Sequence, residues 1–147
     1  SHHPDGDFPN DFVDNDDETV TDRVTGLIWQ KGGSSSELTF SAALEYVKEL
    51  NANRFGGYTD WRMPTIEELC SLLEPMQNRR GLHIDGLFAT NIHSCWSCDQ
   101  SQRYGARMAL VAYFAKGDVE SSEIASYSGG GGSLMRRHFA KAVRTIR

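Results

Sequence analysis

The chain has 147 residues and a formal net charge of −5. This length suits one domain with a real hydrophobic core, and the negative charge weighs against a nucleic-acid-binding surface. Because no apolar run approaches the roughly 20 residues that cross a bilayer, we expect no membrane span.

Charge is unevenly distributed along the chain. Residues 1–22 hold eight acidic residues and no lysine or arginine, whereas residues 136–147 are basic and contain no acid. We interpret residues 1–17 as an acidic amino-terminal segment that starts with a tag remnant, Ser1-His2-His3, and residues 18–147 as a single domain.

The first elements predicted are a hairpin and a helix. Residues 19–21 and 27–29 are β-branched or aromatic runs, and the connection between them ends in Gly26, which is typical of a hairpin. Apolar residues then recur at steps of three and four after Thr39, which predicts a helix with Thr39 as its N-cap.

Residues 56–69, GGYTDWRMPTIEEL, are the most informative stretch. The two glycines supply a turn, and Thr65 with Glu68 forms the Thr-x-x-Glu pattern of a capping box at a helix start. We therefore predict a second helix from Ile66 to about Glu74, where the next residue is a proline.

The second half predicts antiparallel strands over residues 92–98, 107–115 and 119–127, with a closing strand over 138–147. This order predicts an α+β domain with two helices in the first half, antiparallel strands in the second half and the terminal strands, around Val20 and Val143, paired in one sheet. The three tryptophans are expected to be largely buried.

A basic cluster follows the glycine-rich residues 129–133. Such a loop can offer backbone amides and guanidinium groups to sulfate, carboxylate or phosphate, and Lys141 and Arg144 extend the basic end. The candidate ligand-binding residues are Arg103, Tyr104, Arg107, Arg136, Arg137 and His138. The alternative is that the basic end pairs with the acidic end, through Asp14, Asp16 or Asp17.

A second chemistry is suggested by His93, Cys95 and Cys98, which are soft metal ligands within six residues. A zinc site needs about four ligands, so another would have to come from Cys70, His83 or His138. This alternative is a metal-dependent or thiol-dependent module.

The acidic segment contains several carboxylates close together in the sequence, and such groups can bind calcium. The candidate calcium ligands are Asp14, Asp16, Glu18 and Asp22. The spacing lacks the glycine and the final bidentate acid of an EF-hand loop, so a solvated acidic turn is the preferred interpretation.

The chain resembles the C-terminal domain of the Legionella collagen-like adhesin, a bacterial domain family of unknown function. The resemblance rests on DETVTD leading into TGLIWQ, on GGYTDWRMPT with the following Glu68-Leu69, on Cys95-Trp96-Ser97 and on the Val143-Arg144 pair. The RMPT turn is also similar to that of formylglycine-generating and related domains. The resemblance implies a C-type-lectin-like fold on an exported or surface protein, and it implies no catalytic residues.

The function expected from these patterns is a non-enzymatic binding or adhesion domain, outside the cell or in the periplasm, with an anionic glycan as its ligand and without a cofactor. The alternatives are the metal or thiol module and a purely structural or homo-oligomerisation domain. For an exported domain we expect a disulfide between Cys70 and either Cys95 or Cys98, because it would link the second helix to the central strand. The alternative is that the cysteines are free, buried thiols.

Overall fold

The computed structural model describes residues 11–77, 81–85, 88, 92–103, 106–126 and 136–146, and gives the backbone alone at 103, 125 and 126. Over these residues the protein is α+β, as predicted, with two antiparallel sheets and two α-helices. The elements are β1 (Phe12–Asp14), β2 (Thr19–Asp22), β3 (Leu27–Gln30), α1 (Phe40–Ala52), a 3₁₀ helix (Phe55–Gly57), α2 (Ile66–Cys70), β4 (Ser94–Arg103), β5 (Ala106–Tyr113), β6 (Asp118–Ser126) and β7 (Val143–Thr145).

The first sheet has the strand order β1-β2-β3-β7. Val20 lies opposite Trp29, and Trp29 lies opposite Val143, so the prediction that strands from both ends share one sheet is confirmed. The two strands do not pair with each other, because β3 lies between them. β1 falls within the acidic segment, and its Phe12 packs edge-on against Phe88 at 5.1 Å.

The second sheet has the order β4-β5-β6 and is built from the three strands predicted in the second half. β4 runs farther than predicted, to Arg103, with a register shift between Trp96 and Gln100. The β5–β6 turn contains Gly117 at φ +77°, a conformation that favours glycine, and a Cβ there would meet the His83 ring at 3.0 Å.

Both predicted helix starts are confirmed. Thr39 caps α1 by accepting a hydrogen bond from the amide of Ala42, and Thr65 and Glu68 form the complete capping box of α2. The predicted end of α2 near Glu74 is wrong: the helix ends at Cys70. Beyond it the amides of residues 72 and 73 donate to carbonyls three residues back, which is a tighter turn.

Trp61 is held by its neighbours on every side. Its backbone N–H donates to Asn51 Oδ1 at 2.7 Å, its carbonyl accepts from Asn51 Nδ2 at 2.9 Å, and its indole N–H donates to the Phe55 carbonyl at 2.8 Å. Trp61 is 3 % exposed, and Trp29 and Trp96 are fully buried. The predicted burial of all three tryptophans is confirmed.

Residues 138–144, here called the C-terminal segment, lie between the two sheets. Phe139 pairs with β4 as a parallel bridge, while Val143 pairs with β3 and with Arg62. The closing strand predicted over 138–147 is shorter in the structure, Val143–Thr145, and residues 140–144 are all buried because this segment has protein on both faces.

None of the helices in the described part of the chain is long and apolar enough to cross a membrane.

We predict that Trp61→Ala lowers the free energy of unfolding by about 3 to 5 kcal/mol, because it removes a large buried ring and leaves a cavity. Urea denaturation followed by circular dichroism measures the change. Val24→Ala is the matched control, since Val24 is 49 % exposed, and it should change the free energy by less than about 0.5 kcal/mol. Equal effects of the two substitutions would contradict the anchoring role of Trp61.

Candidate functional site

A cleft of about 590 Å³ opens where the chain enters the C-terminal segment beside the second sheet. It is lined by Met108, Tyr113, Glu120, Ser121, Ser122, Glu123, Arg136, Arg137 and His138. The pairing of β5 with β6 and the return of the chain at residue 136 bring these residues together, although they are spread over 31 positions from 108 to 138.

His138 forms the base of this cleft and links the outer strands of the sheet. Its Nδ1 lies 2.7 Å from Ser94 Oγ on β4, and its Nε2 lies 2.9 Å from Ser122 Oγ on β6. The ring also packs edge-on against Trp96 at 4.7 Å and Tyr113 at 5.5 Å. Both ring nitrogens therefore have a hydroxyl partner.

Burial and the neighbouring Arg136 guanidinium lower the pKa of His138 to about 4. The imidazole is neutral near pH 7, so one ring nitrogen donates to one serine and the other accepts from the second serine. Burial also raises the pKa of the Tyr113 phenol, with a contribution from Glu120. Tyr113 stays a neutral hydroxyl that can donate or accept a hydrogen bond.

The walls of the cleft carry charges of both signs. Arg136 and Arg137 are exposed and form no ion pair within the described part of the chain. Glu120 pairs with Lys116 at 3.0 Å, and both of these side chains are exposed, which makes the pair weak. Glu123, on the same strand, is half-buried. The two arginines and two glutamates cancel in formal charge.

The six predicted ligand-binding residues do not all lie in this cleft. Arg136, Arg137 and His138 line it, whereas Arg107 is outside its lining and donates to Gln100 Oε1 at 2.5 Å. The side chain of Arg103 and all of Tyr104 lie outside the described residues. The sequence reasoning missed Tyr113, Glu120 and Glu123. In the sequence, only their position on the predicted hairpin before the basic cluster could have indicated that these three residues belong to the site.

Lys141 and Arg144 were expected to extend the basic cluster, and this expectation is wrong. Lys141 is fully buried, and its Nζ donates to the carbonyls of Gln30 at 2.6 Å, Lys31 at 3.0 Å and Gly32. Arg144 is 7 % exposed and makes a two-pronged ion pair with Asp60. Only two arginines of the C-terminal basic group are therefore available to a ligand among the described residues.

The ion pairs of Asp14 and Arg144 do not join the acidic amino-terminal segment to the basic end of the chain. Asp14 pairs with Lys31 at 2.7 Å, and Arg144 pairs with Asp60. Asp14 also accepts from the amide of Asp16, within the β1–β2 turn. Among the described residues no ion pair joins Asp14, Asp16 or Asp17 to the C-terminal basic residues, so the alternative in which the two ends pair through them is wrong.

The structure does not bring the candidate ligands of either metal together. Within the described ranges, no group of three or more His, Cys, Asp or Glu side chains is placed to hold an ion. Cys95 is buried, whereas His93 and Cys98 are exposed. Of the calcium candidates, Asp14, Asp16 and Glu18 belong to the β1–β2 turn region, while Asp22 is fully buried and accepts from the amide of Val24 at 3.0 Å.

All three cysteines are free, so the predicted disulfide is wrong. The alternative of free thiols is confirmed, but only Cys95 is buried. Cys95 faces the core, where burial raises the pKa of its thiol to about 12. Cys70 and Cys98 are exposed at the end of α2 and on β4.

The comparisons with known proteins gave one match. The family model described as the Lcl C-terminal domain matches residues 18–133. No curated protein matches the chain, and no solved structure matches it. The family predicted from the sequence is confirmed, and the matched residues end just before Arg136.

We predict that His138 makes the fold sensitive to acid. Because its pKa in the folded state, about 4, is below its ordinary value of 6.5, the unfolded chain binds more protons between these values. The contribution of this residue to the free energy of unfolding should therefore fall by about 3 kcal/mol as the pH drops from 6.5 to 4, and it should level off below 4.

The measurement compares urea denaturation of the unmodified protein with His138→Gln, which cannot titrate, from pH 7 to pH 4. The advantage of the unmodified protein should shrink towards acid pH. Parallel pH profiles of the two proteins would show that this histidine has an ordinary pKa.

A second prediction concerns the thiols. A disulfide reagent such as DTNB should react with two thiols, Cys70 and Cys98, in the folded protein and with three in denaturant. Cys95→Ala should keep the two reactive thiols and lose the third. Fewer than two reactive thiols in the folded protein would indicate that a disulfide forms after all.

Proposed function

This chain belongs to the Lcl C-terminal domain family, and we propose that it is a non-enzymatic binding or adhesion domain of an exported or surface bacterial protein. Its ligand is an anionic glycan, which binds in the cleft beside Arg136 and Arg137. The observation that carries the proposal is the presence of two exposed arginines, without ion pairs in the described part of the chain, on the wall of a cleft of about 590 Å³.

The size and lining of the cleft support a carbohydrate ligand. Small-molecule sites are concave and measure about 300 to 1,000 Å³. The hydroxyls of Ser121, Ser122 and Tyr113 lie in this cleft, and such groups can exchange hydrogen bonds with sugar hydroxyls. The ring of Tyr113 and the side chain of Met108 add apolar surface for a sugar face.

In this proposal, the two arginines bind the acidic group of the ligand. A guanidinium binds carboxylate or sulfate oxygens through two parallel hydrogen bonds. Because Lys141 and Arg144 are buried, this site neutralises about two ligand charges. The expected ligand therefore offers about two of its acidic groups to the site and is held by a few directed contacts.

A C-type-lectin-like arrangement is part of the proposal. Support comes from the first sheet, which strands from both ends of the chain share, and from the three antiparallel strands of the second half. An exported location is proposed from the family resemblance alone.

The test is a titration with heparin oligosaccharide as the probe, at several salt concentrations. Binding should weaken as salt rises, because binding releases counterions from the glycan and added salt opposes that release. With about two neutralised charges, the slope of log K against log salt should be roughly −1.4 to −1.8.

The double variant Arg136→Glu, Arg137→Glu should abolish this binding and leave the unfolding midpoint nearly unchanged, since both side chains are exposed. Arg23→Glu is the matched control: Arg23 is exposed in the β2–β3 turn and does not line the cleft. Loss of binding in the control as well would indicate non-specific electrostatic attraction.

The structural or oligomerisation alternative predicts a different result. The unmodified domain would then bind no anionic glycan even at low salt, and sedimentation equilibrium would show a mass that rises with concentration. This outcome would overturn the binding proposal.

A further inference from the structure

The cleft contains two carboxylates as well as two arginines, and one of the carboxylates, Glu120, already pairs with Lys116. An anionic ligand would therefore leave the second carboxylate, Glu123, without a cationic partner among the described residues. Glu120 and Glu123 lie on β6, and Arg136 and Arg137 lie where the chain returns. We propose that the ligand is zwitterionic: a glycan in which an amino sugar with a free ammonium group adjoins an acidic group. This inference rests on the proposed function and specifies its ligand.

The charges of the cleft are not consumed by one another. Arg136 and Arg137 make no ion pair with Glu120 or Glu123 anywhere in the described part of the chain, and the ion-pair partner of Glu120 is Lys116. Glu123 has no ion pair among the described residues, and it is half-buried, which limits the water that can solvate it. A carboxylate in this position gains from a cationic partner.

A ligand with acidic groups alone would gain at the arginines and be repelled by Glu123, since Glu120 is paired with Lys116. All four residues line one cleft of about 590 Å³, so a ligand that fills it meets charges of both signs. An ammonium group on the same ligand turns the repulsive half of the site into an attractive one. Complementary charge of this kind gives specificity as much as affinity.

The protein itself shows how this site holds an ammonium group. Lys116 Nζ lies 3.0 Å from Glu120 Oε2 and 5.1 Å from the centroid of the Tyr113 ring. Carboxylate and ring face thus bind one cation together. Glu123 has no such internal cation in the described residues, and we assign the ammonium group of the ligand to Glu123 and the acidic group to Arg136.

The test uses three disaccharides of a uronic acid and glucosamine that differ in one group each. The first has a free amine and a free carboxylate, the second is N-acetylated, and the third has its carboxyl reduced to an alcohol. Dissociation constants are measured by calorimetry at about pH 6, where His138 is neutral because its pKa is about 4.

The free-amine disaccharide should bind about tenfold more tightly than either of the others. Glu123→Gln should remove its advantage over the N-acetylated probe and change the affinity of that probe by less than about twofold. Arg136→Gln should instead remove its advantage over the carboxyl-reduced probe. Glu45→Gln, an exposed change on α1 outside the cleft, is the control and should alter none of these values. Circular dichroism checks that each variant is folded.

Equal or tighter binding of the N-acetylated disaccharide would overturn the inference. If heparin oligosaccharide binds through Arg136 and Arg137 while the three disaccharides show no such preference, or do not bind, the inference fails and the proposed function stands. If neither heparin nor any disaccharide binds, both fail.

Discussion

The placement of the C-terminal segment between the two sheets is the constraint on which the rest of the structure depends. Its backbone hydrogen bonds reach both sheets and the GGYTDWR motif. Phe139 exchanges backbone hydrogen bonds with residues 94 and 96 of β4, and Val143 does so with Arg62. The carbonyl of Ala142 accepts from the backbone amide of Gln30, and the amide of Ala142 donates to the side-chain Oε1 of Gln30. Without this segment the two sheets would lose the backbone contacts that join them, so the core and the cleft form together.

The GGYTDWR motif has a structural role, because its side chains bind residues at the end of the chain. The Arg144 guanidinium lies 3.8 Å from the centroid of the Tyr58 ring and is bound by both carboxylate oxygens of Asp60. Arg62 binds Glu68 through two hydrogen bonds of 2.7 Å and reaches Thr145 Oγ1 at 3.0 Å. The motif thus binds β7, the last strand, and holds it next to α2. The residues of the motif do not line the cleft.

Lys141 shows how a buried cation can serve the fold. Burial lowers the pKa of its ammonium group, but three carbonyls accept its three hydrogens and oppose that effect. The Phe88 ring lies 4.7 Å from the nitrogen on another side. The ammonium group therefore joins residues 30–32 to the C-terminal segment. Arg136 and Arg137, which directly precede His138, are positioned at the cleft by the anchored chain.

The sequence by itself determined the elements whose causes are local. The capping box needs only Thr65 and Glu68, the β5–β6 turn needs Gly117, and the tryptophans are buried because of their large apolar surface. The fold class followed from the order of these elements. The end of α2 was missed because its last turn tightens through backbone bonds that the side-chain pattern does not reveal.

Only the tertiary structure decided which charged residues a ligand can reach. Lys141 and Arg136 look alike in the sequence, yet the first is enclosed between the sheets and the second is exposed, because the chain enters the core at His138. Glu123 and Tyr113 join Arg136 in one cleft through strand pairing and the return of the chain. Contacts between residues far apart in the sequence leave no local pattern, so the site depended on the packing of the whole domain.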